Sequence, residues 1–293
     1  MLAELPSSLD SDRWSGLRRL AGLTALKKGP DGSFSLAHWW RGPVLYSLVQ
    51  QNQPRHILEV GMGRGYGALC MAQALMDGGL PGTIWTIDLI PPMRPQQWAM
   101  DQGNGPEYAD RSCESVWGKY VSPQVRDRIH CITGSSHAVL RNWRQKGLPS
   151  IDFCFVDAHH DYWSVKEDLI QVLRIIQPGA GILFDDYTDR KGFGVRRLLN
   201  KEIIPKLPKG AVEIIETFSQ DHTLHGDDVP HQLALIRKGY LSENPLNQFY
   251  TSGQLREFAL GYFLVSTCRS ITAPLRPYIR RLLRIARFLM GLR

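Results

Sequence analysis

Two short segments of this chain hold acids and imidazoles at spacings that could do chemistry. Asp157-Ala158-His159-His160-Asp161-Tyr162 follows the apolar run Ile151-Asp152-Phe153-Cys154-Phe155-Val156, and Asp185-Asp186-Tyr187 follows Ile182-Leu183-Phe184. Each run reads as a buried strand. Between them Val165, Leu169, Val172, Leu173 and Ile176 form a helical face, opened by a capping-box pattern at Ser164 and Glu167 and stopped by Pro178-Gly179. Strand, helix, strand is a crossover that puts two parallel strands in one sheet, with their carboxyl ends as neighbours. Ligands bind at that edge in open α/β sheets. Asp157, Asp185 and Asp186 then converge, and three carboxylates in one crevice stay ionised cheaply only around a cation. Oxygen donors suit Mg²⁺, with Ca²⁺ or Mn²⁺ as alternatives. Such an ion could bind a hydroxyl and lower its pKa. His160, three residues past Asp157, could face the same cleft, and a histidine near its normal pKa is a sensible general base. The plainer alternative is that Asp157 touches only a cofactor and Asp185-Asp186 caps a turn.

A second segment must position a ligand beside these acids. Ile57-Leu58-Glu59-Val60-Gly61-Met62-Gly63-Arg64-Gly65-Tyr66-Gly67 is an apolar strand, a glycine turn and a helix start. Glycines let the backbone approach a ligand closely, and the helix N-terminus presents free N–H groups and partial positive charge. The dinucleotide spacing G-x-G-x-x-G is broken, because its third glycine position falls on Tyr66. Glu59, two residues before Gly61, would repel a pyrophosphate and welcome a cationic amine and sulfonium. Thr83-Ile84-Trp85-Thr86-Ile87-Asp88 reads as the next strand, one crossover helix later. Asp88 at its end suits ribose hydroxyls, or is an ordinary turn aspartate. Arg128 to Thr133 reads as a third strand leading into Gly134-Ser135-Ser136, where a helix N-cap is expected.

The Glu59–Gly67 stretch resembles motif I of the class I S-adenosylmethionine-dependent methyltransferases. The segments Asp157-Ala158-His159-His160-Asp161-Tyr162 and Gly179-Ala180-Gly181-Ile182-Leu183-Phe184-Asp185-Asp186-Tyr187 are similar to the group of that family with a D-G-D-H-x-Y and D-D-Y pattern. That group includes metal-dependent O-methyltransferases of sugars and macrolides. The resemblance implies a Rossmann-like, doubly wound α/β sheet of seven strands, the last antiparallel. It implies that Glu59, Gly61, Met62, Gly63 and Gly65 hold the methionine part of S-adenosylmethionine. Asp88 would hold the ribose, and Gly134, Ser135 and Ser136 would lie against the adenine. His160, as the base, and Asp157 would be catalytic, Asp157 would also touch the cofactor, and Asp157, Asp185 and Asp186 would ligate Mg²⁺ or another divalent cation. Ala158 and His159 depart from the pattern, where Gly and Asp are usual, so one acid is missing. The implied activity is methyl transfer to the oxygen of a sugar or small-molecule hydroxyl. Two alternatives stand beside it: an NAD-linked oxidoreductase on a related sheet, and a non-catalytic adaptor with this fold at a membrane surface.

Composition bounds the rest. The 293 residues suffice for one α/β domain with additions. The domains expected are a helical lead-in over 1–54, a methyltransferase domain over 55–240 and an Arg-rich helical extension over 241–293. Leu89 to about Pro106 is a breaker-rich connection, read as a loop near the ribose, with Met93, Arg94 and Trp98 as acceptor contacts or surface. A helix is expected from about Glu107 to Tyr120. Five scattered cysteines with no C-x-x-C pair give neither a zinc knot nor a disulfide frame, and Cys131 and Cys154 are expected in buried strands. His222 and His225 read as a polar hairpin loop rather than a zinc site. The formal charge is +7, and seven arginines with no acid fall between Arg269 and Arg293, so the remainder is balanced and makes no general electrostatic claim on nucleic acid. From Tyr278 onward Arg280, Arg284 and Arg287 face one side of a helical pattern, which suits peripheral contact with anionic lipid through 278–293, docking on the chain's own core, or a homo-oligomer. With no signal pattern and no spanning run, the expected location is the cytoplasm.

Overall fold

The structure, a computed structural model, describes residues 12–36, 38–217 and 231–270. Its Cα packing divides the chain into two units, 1–245 and 246–293. The first unit opens with α1 (Asp12–Thr24), a small antiparallel hairpin of β1 (Leu26–Lys28) and β2 (Phe34–Leu36), and α2 (Arg41–Asn52). The alternation β3 (His56–Val60), α3 (Tyr66–Asp77), β4 (Thr83–Asp88) follows. Then come β5 (Gln96–Asp101), β6 (Pro106–Arg111), α4 (Cys113–Tyr120), α5 (Pro123–Arg126), β7 (Ile129–Thr133) and α6 (Ser136–Arg141). The second half runs β8 (Ile151–Val156), α7 (Tyr162–Ile175), β9 (Ile176–Phe184), α8 (Val195–Leu198), β10 (Val212–Thr217) and β11 (His231–Ile236). At the boundary lies α9 (Pro245–Phe249), and the second unit carries α10 (Ser252–Ser270).

Seven strands form one sheet in the order β10-β11-β9-β8-β3-β4-β7. The pairs β3–β4, β3–β8, β4–β7 and β8–β9 are parallel, and β11 runs antiparallel to both neighbours. This is the expected doubly wound sheet. The physical cause is plain in the central strands. Ile57, Leu58, Ile84, Phe153, Cys154, Ile182, Leu183 and Phe184 are all buried, as both-face-covered parallel strands require. Helices α2 and α3 bury Val44, Leu45, Leu48, Ala68, Leu69 and Leu75 against the sheet.

Three local expectations change. Residues 96–111 form the antiparallel hairpin β5–β6, so the helix expected from Glu107 starts at Cys113. Trp98 is fully buried and donates its indole N–H to Leu23 O at 2.7 Å, so it is core and no acceptor contact. β7 is the sheet's edge strand, which leaves Cys131 exposed, while Cys154 in β8 is buried as expected. Among the described residues no helix is long and apolar enough to cross a membrane. The stretch 218–230 with His222 and His225, and the segment 278–293, lie outside the described residues.

Candidate active site

The carboxyl ends of β4, β3, β8 and β9 bring two groups of polar side chains to one edge of the sheet. On the first, the chain turns sharply after β3. Gly61 has φ +99°, and a Cβ there would sit 2.2 Å from the backbone oxygen of Asp157. No other residue allows the turn to pass this close to the end of β8. Two of the turn's N–H groups are spent on an acid: Asp88 accepts from Met62 N–H at 3.0 Å and Gly63 N–H at 2.8 Å, and also from Ile90 N–H, just past β4, at 2.9 Å. Gly65 caps α3, and Arg64 ties the turn to the covering elements through Leu26 O at 2.7 Å and Gln97 O at 2.9 Å.

Glu59 lies beneath this turn. It is 1% exposed and accepts a hydrogen bond from the Thr86 hydroxyl at 2.5 Å. Burial pushes its carboxyl up to about 8, against the Thr86 bond, Arg41 and the Ala68 N–H. Ser135 caps α6 by accepting from Ala138 N–H at 3.3 Å, so the N-cap reading of this loop holds. The Ser136 hydroxyl donates to Asp168 at 2.5 Å, and Gly134, at φ +151°, donates its N–H to Asp88 O at 2.8 Å. Asp168 is buried, which pushes it up to about 7 despite that bond.

The second group is the acid cluster. Asp157 follows β8, and Asp185-Asp186 follows β9; adjacent parallel strands bring them together as the crossover requires. Their partners are side chains. The Arg41 guanidinium bridges Asp157 and Asp185, the latter at 3.1 Å. His231 Nε2 meets Asp185 at 2.6 Å, and His160 Nδ1 meets Asp186 at 2.6 Å. Arg41 is the first residue of α2, and it reaches the sheet because the next residue is glycine: a Cβ on Gly42 would lie 2.2 Å from the Tyr66 hydroxyl oxygen. Asp186 sits at φ +53°, a left-handed conformation that aspartate tolerates.

The charges follow from these contacts. Burial opposes the charge of Asp185, but Arg41 and His231 outweigh it and hold the carboxyl well below its usual range. Burial and the two neighbouring acids push Asp157 up in spite of Arg41. The hydrogen bond to Asp186 raises His160. His231 is raised because Asp185 outweighs burial. His38, whose ring packs 4.7 Å from that of His231, is pushed down to about 3 by burial and by Arg41, so it is a neutral imidazole. His159 is exposed.

Two sets of three donor groups gather within 4.8 Å among the described residues: Asp157, His160 and Asp186, and Asp185, Asp186 and His231. Sequence reasoning missed Arg41, His38 and His231 in this cluster. A signal for His231 existed: an antiparallel strand pairing Ala234 with Phe184 must carry its first residue past the end of β9 to the acids. For Arg41 the only hint was one cation, between Trp39-Trp40 and Gly42-Pro43, heading an apolar helix.

Residues 58–187 match the family model of a methyltransferase domain, a span that runs from β3 to the residue after Asp185-Asp186. This is the class expected from the glycine turn. Among solved structures, the chain is similar to an O-methyltransferase from Bacillus cereus in complex with SAH, with 18% identity over 80% of this chain and 94% of that one and a TM-score of 0.48. It is also similar to the O-methyltransferase TomG from Streptomyces achromogenes in complex with SAM, with 20% identity, 70% and 81% coverage and a TM-score of 0.46.

Proposed function

We propose that this protein transfers a methyl group from S-adenosylmethionine to a hydroxyl of a small molecule such as a sugar. The observation that carries the reading is the placement of a glycine turn, with Asp88, directly beside a carboxylate–histidine cluster at one sheet edge. The turn at Gly61, Met62, Gly63 and Gly65 and the capped loop at Gly134, Ser135 and Ser136 would seat the donor, with Asp88 at the ribose. Glu59 supports the turn from below. The donor supplies an electrophilic methyl on a sulfonium.

His160 is the base in this reading. Its Nδ1 is taken by Asp186, which fixes the ring and leaves Nε2 to accept the hydroxyl proton, the orienting logic of an acid–imidazole pair. Asp157, at the junction of the turn and the cluster, would lie between donor and acceptor. The cluster also suits a divalent cation: its carboxylates are hard oxygen donors and its imidazoles borderline ones, and the sets that gather closely enough are Asp157, His160 and Asp186, and Asp185, Asp186 and His231. Asp157, Asp185 and Asp186 would hold the ion, with His231 beside them. A bound Mg²⁺ would supply Lewis acidity toward an acceptor oxygen. The protein's own share is to hold the hydroxyl in line and take its proton.

A donor-consumption screen over hydroxylated small molecules tests this, run with Mg²⁺ and with chelator. Turnover that chelator abolishes is expected. Turnover indifferent to chelator would remove the metal. Calorimetry with S-adenosylhomocysteine should give heat and NAD none; the reverse would favour an oxidoreductase.

A further inference from the structure

Each acid of the cluster already has a protein partner. Arg41 holds Asp157 and Asp185, His231 holds Asp185, and His160 holds Asp186. The guanidinium therefore occupies the place where a cation would neutralise Asp157 and Asp185. Its seat is well shielded: the side chains of Arg41 and Asp157 are 15% and 16% exposed, and that of Asp185 is 3% exposed. The seat is also imperfect, because Arg41 Nε is buried and has no hydrogen-bond partner. A buried unmatched donor costs stability, so this arrangement is less than the best one for the guanidinium.

We infer that Arg41 is a resident counter-ion that a divalent cation must displace from Asp157 and Asp185. The inference rests on the proposed metal at these carboxylates. A guanidinium and a divalent ion compete for the Oδ2 atoms of Asp157 and Asp185, because like charges brought together in a shielded site repel strongly. In the absence of metal, Arg41 keeps two neighbouring acids from repelling each other. When metal enters, that task passes to the ion, and Arg41 withdraws. Since Arg41 heads α2, metal entry is coupled to the segment that leads into that helix, His38-Trp39-Trp40.

The test is Mn²⁺ binding to the full-length protein, measured by calorimetry, for the wild type, Arg41→Met and Arg41→Lys. Arg41→Met should bind Mn²⁺ at least about tenfold more tightly than the wild type, with a lower Tm in chelator and a larger rise in Tm on adding Mn²⁺. Arg41→Lys keeps the charge but loses the two-pronged reach, so its affinity should fall between the two. It also keeps the test alive if Arg41→Met does not fold. Folded variants that bind Mn²⁺ no tighter than the wild type overturn the inference and leave the metal site standing. No Mn²⁺ heat with any of the three proteins, all folded by circular dichroism, overturns the metal site and this inference together. Both results are separable from loss of the methyltransferase reading, which is read by S-adenosylhomocysteine binding.

Discussion

The two halves of the candidate site satisfy their acids by opposite means. On the glycine-turn side, Asp88 takes three backbone N–H groups, two of them from the turn itself. Glu59 is met by Thr86, its cross-strand neighbour on β4, and by the first turn of α3. On the cluster side, Asp157, Asp185 and Asp186 are met by side chains from far along the chain, Arg41 at 116 residues from Asp157 and His231 at 46 from Asp185. Backbone partners come with the fold and are hard to remove. Side-chain partners can be exchanged, for an ion or for an acceptor. In the proposed reading the turn side stays put and the cluster side changes partners.

The sharpest break in that contrast is the loss of Arg41. Arg41→Met leaves Asp157 and Asp185 facing each other without their shared cation. Removing one partner of a buried ion pair costs about 3 kcal/mol or more. Urea denaturation in chelator should read a loss of that size at neutral pH. A loss below about 1 kcal/mol would mean that the bridge contributes little and that the acids are neutralised another way.

His160 comes next. His160→Ala should lower turnover by about 100-fold, the usual range for a lost base, with S-adenosylhomocysteine affinity unchanged. Turnover at the wild-type rate would remove His160 from its role. The same pair sets a pH dependence. Asp186 raises His160 above its ordinary 6.5, so the base form is depleted at and below neutral pH and kcat/KM should climb with pH through that raised value. Asp186→Asn should move the rising limb to lower pH. An unmoved limb would show that another group is the base.

On the turn side a milder effect is expected. Asp88→Asn keeps a side-chain oxygen for the N–H groups of Met62 and Gly63, so the fold should lose only about 1 kcal/mol. Its cost should appear in donor binding, with S-adenosylhomocysteine about tenfold weaker. A cluster-side collapse from this substitution would contradict the division between the two halves.

That division also explains what could be read from the sequence. The strands ending at Val60, Asp88, Val156 and Phe184 were legible because a buried parallel strand is a short apolar run closed by polar residues. The convergence of Asp157 with Asp185-Asp186 followed from one crossover. The N-cap at Ser135 was a local pattern and was found. The cap of α7 was misplaced, because Asp161, three residues before the expected Ser164, accepts from Trp163 N–H at 3.1 Å and starts the helix earlier. Glu167, read as part of a capping box, instead bonds Gln171 and His137 in the packed face of α6 and α7. Ser136 turned its hydroxyl to Asp168, a partner 32 residues away. Arg41, His38 and His231 were illegible for the same reason. Their roles depend on how α2 and β11 dock on the sheet, and that docking is decided by distant packing such as Gly42 against Tyr66. The β5–β6 hairpin was missed because its prolines and glycines, at Pro95, Gly103 and Gly105, flank short strands rather than marking a loop throughout.

The last contrast is the most discriminating. Burial holds Glu59 at about 8, so the folded protein keeps this carboxyl protonated across a range where the unfolded chain, near 4.5, has lost its proton. The folded state then binds more protons, and its stability from this group falls as pH rises from about 4.5 to about 8. Glu59→Gln removes that dependence while keeping an oxygen for the Thr86 hydroxyl. The wild type should exceed Glu59→Gln in stability at pH 5.5, and the gap should narrow by about 2 kcal/mol by pH 7.5, because only the folded state holds the proton over that range. Denaturation curves at the two pH values read it directly. A gap that widens with pH would mean that Glu59 is ionised inside the fold. The turn side would then hold a charge that could act on a bound sulfonium, and its acid would resemble those of the cluster more than its backbone-bound neighbour Asp88.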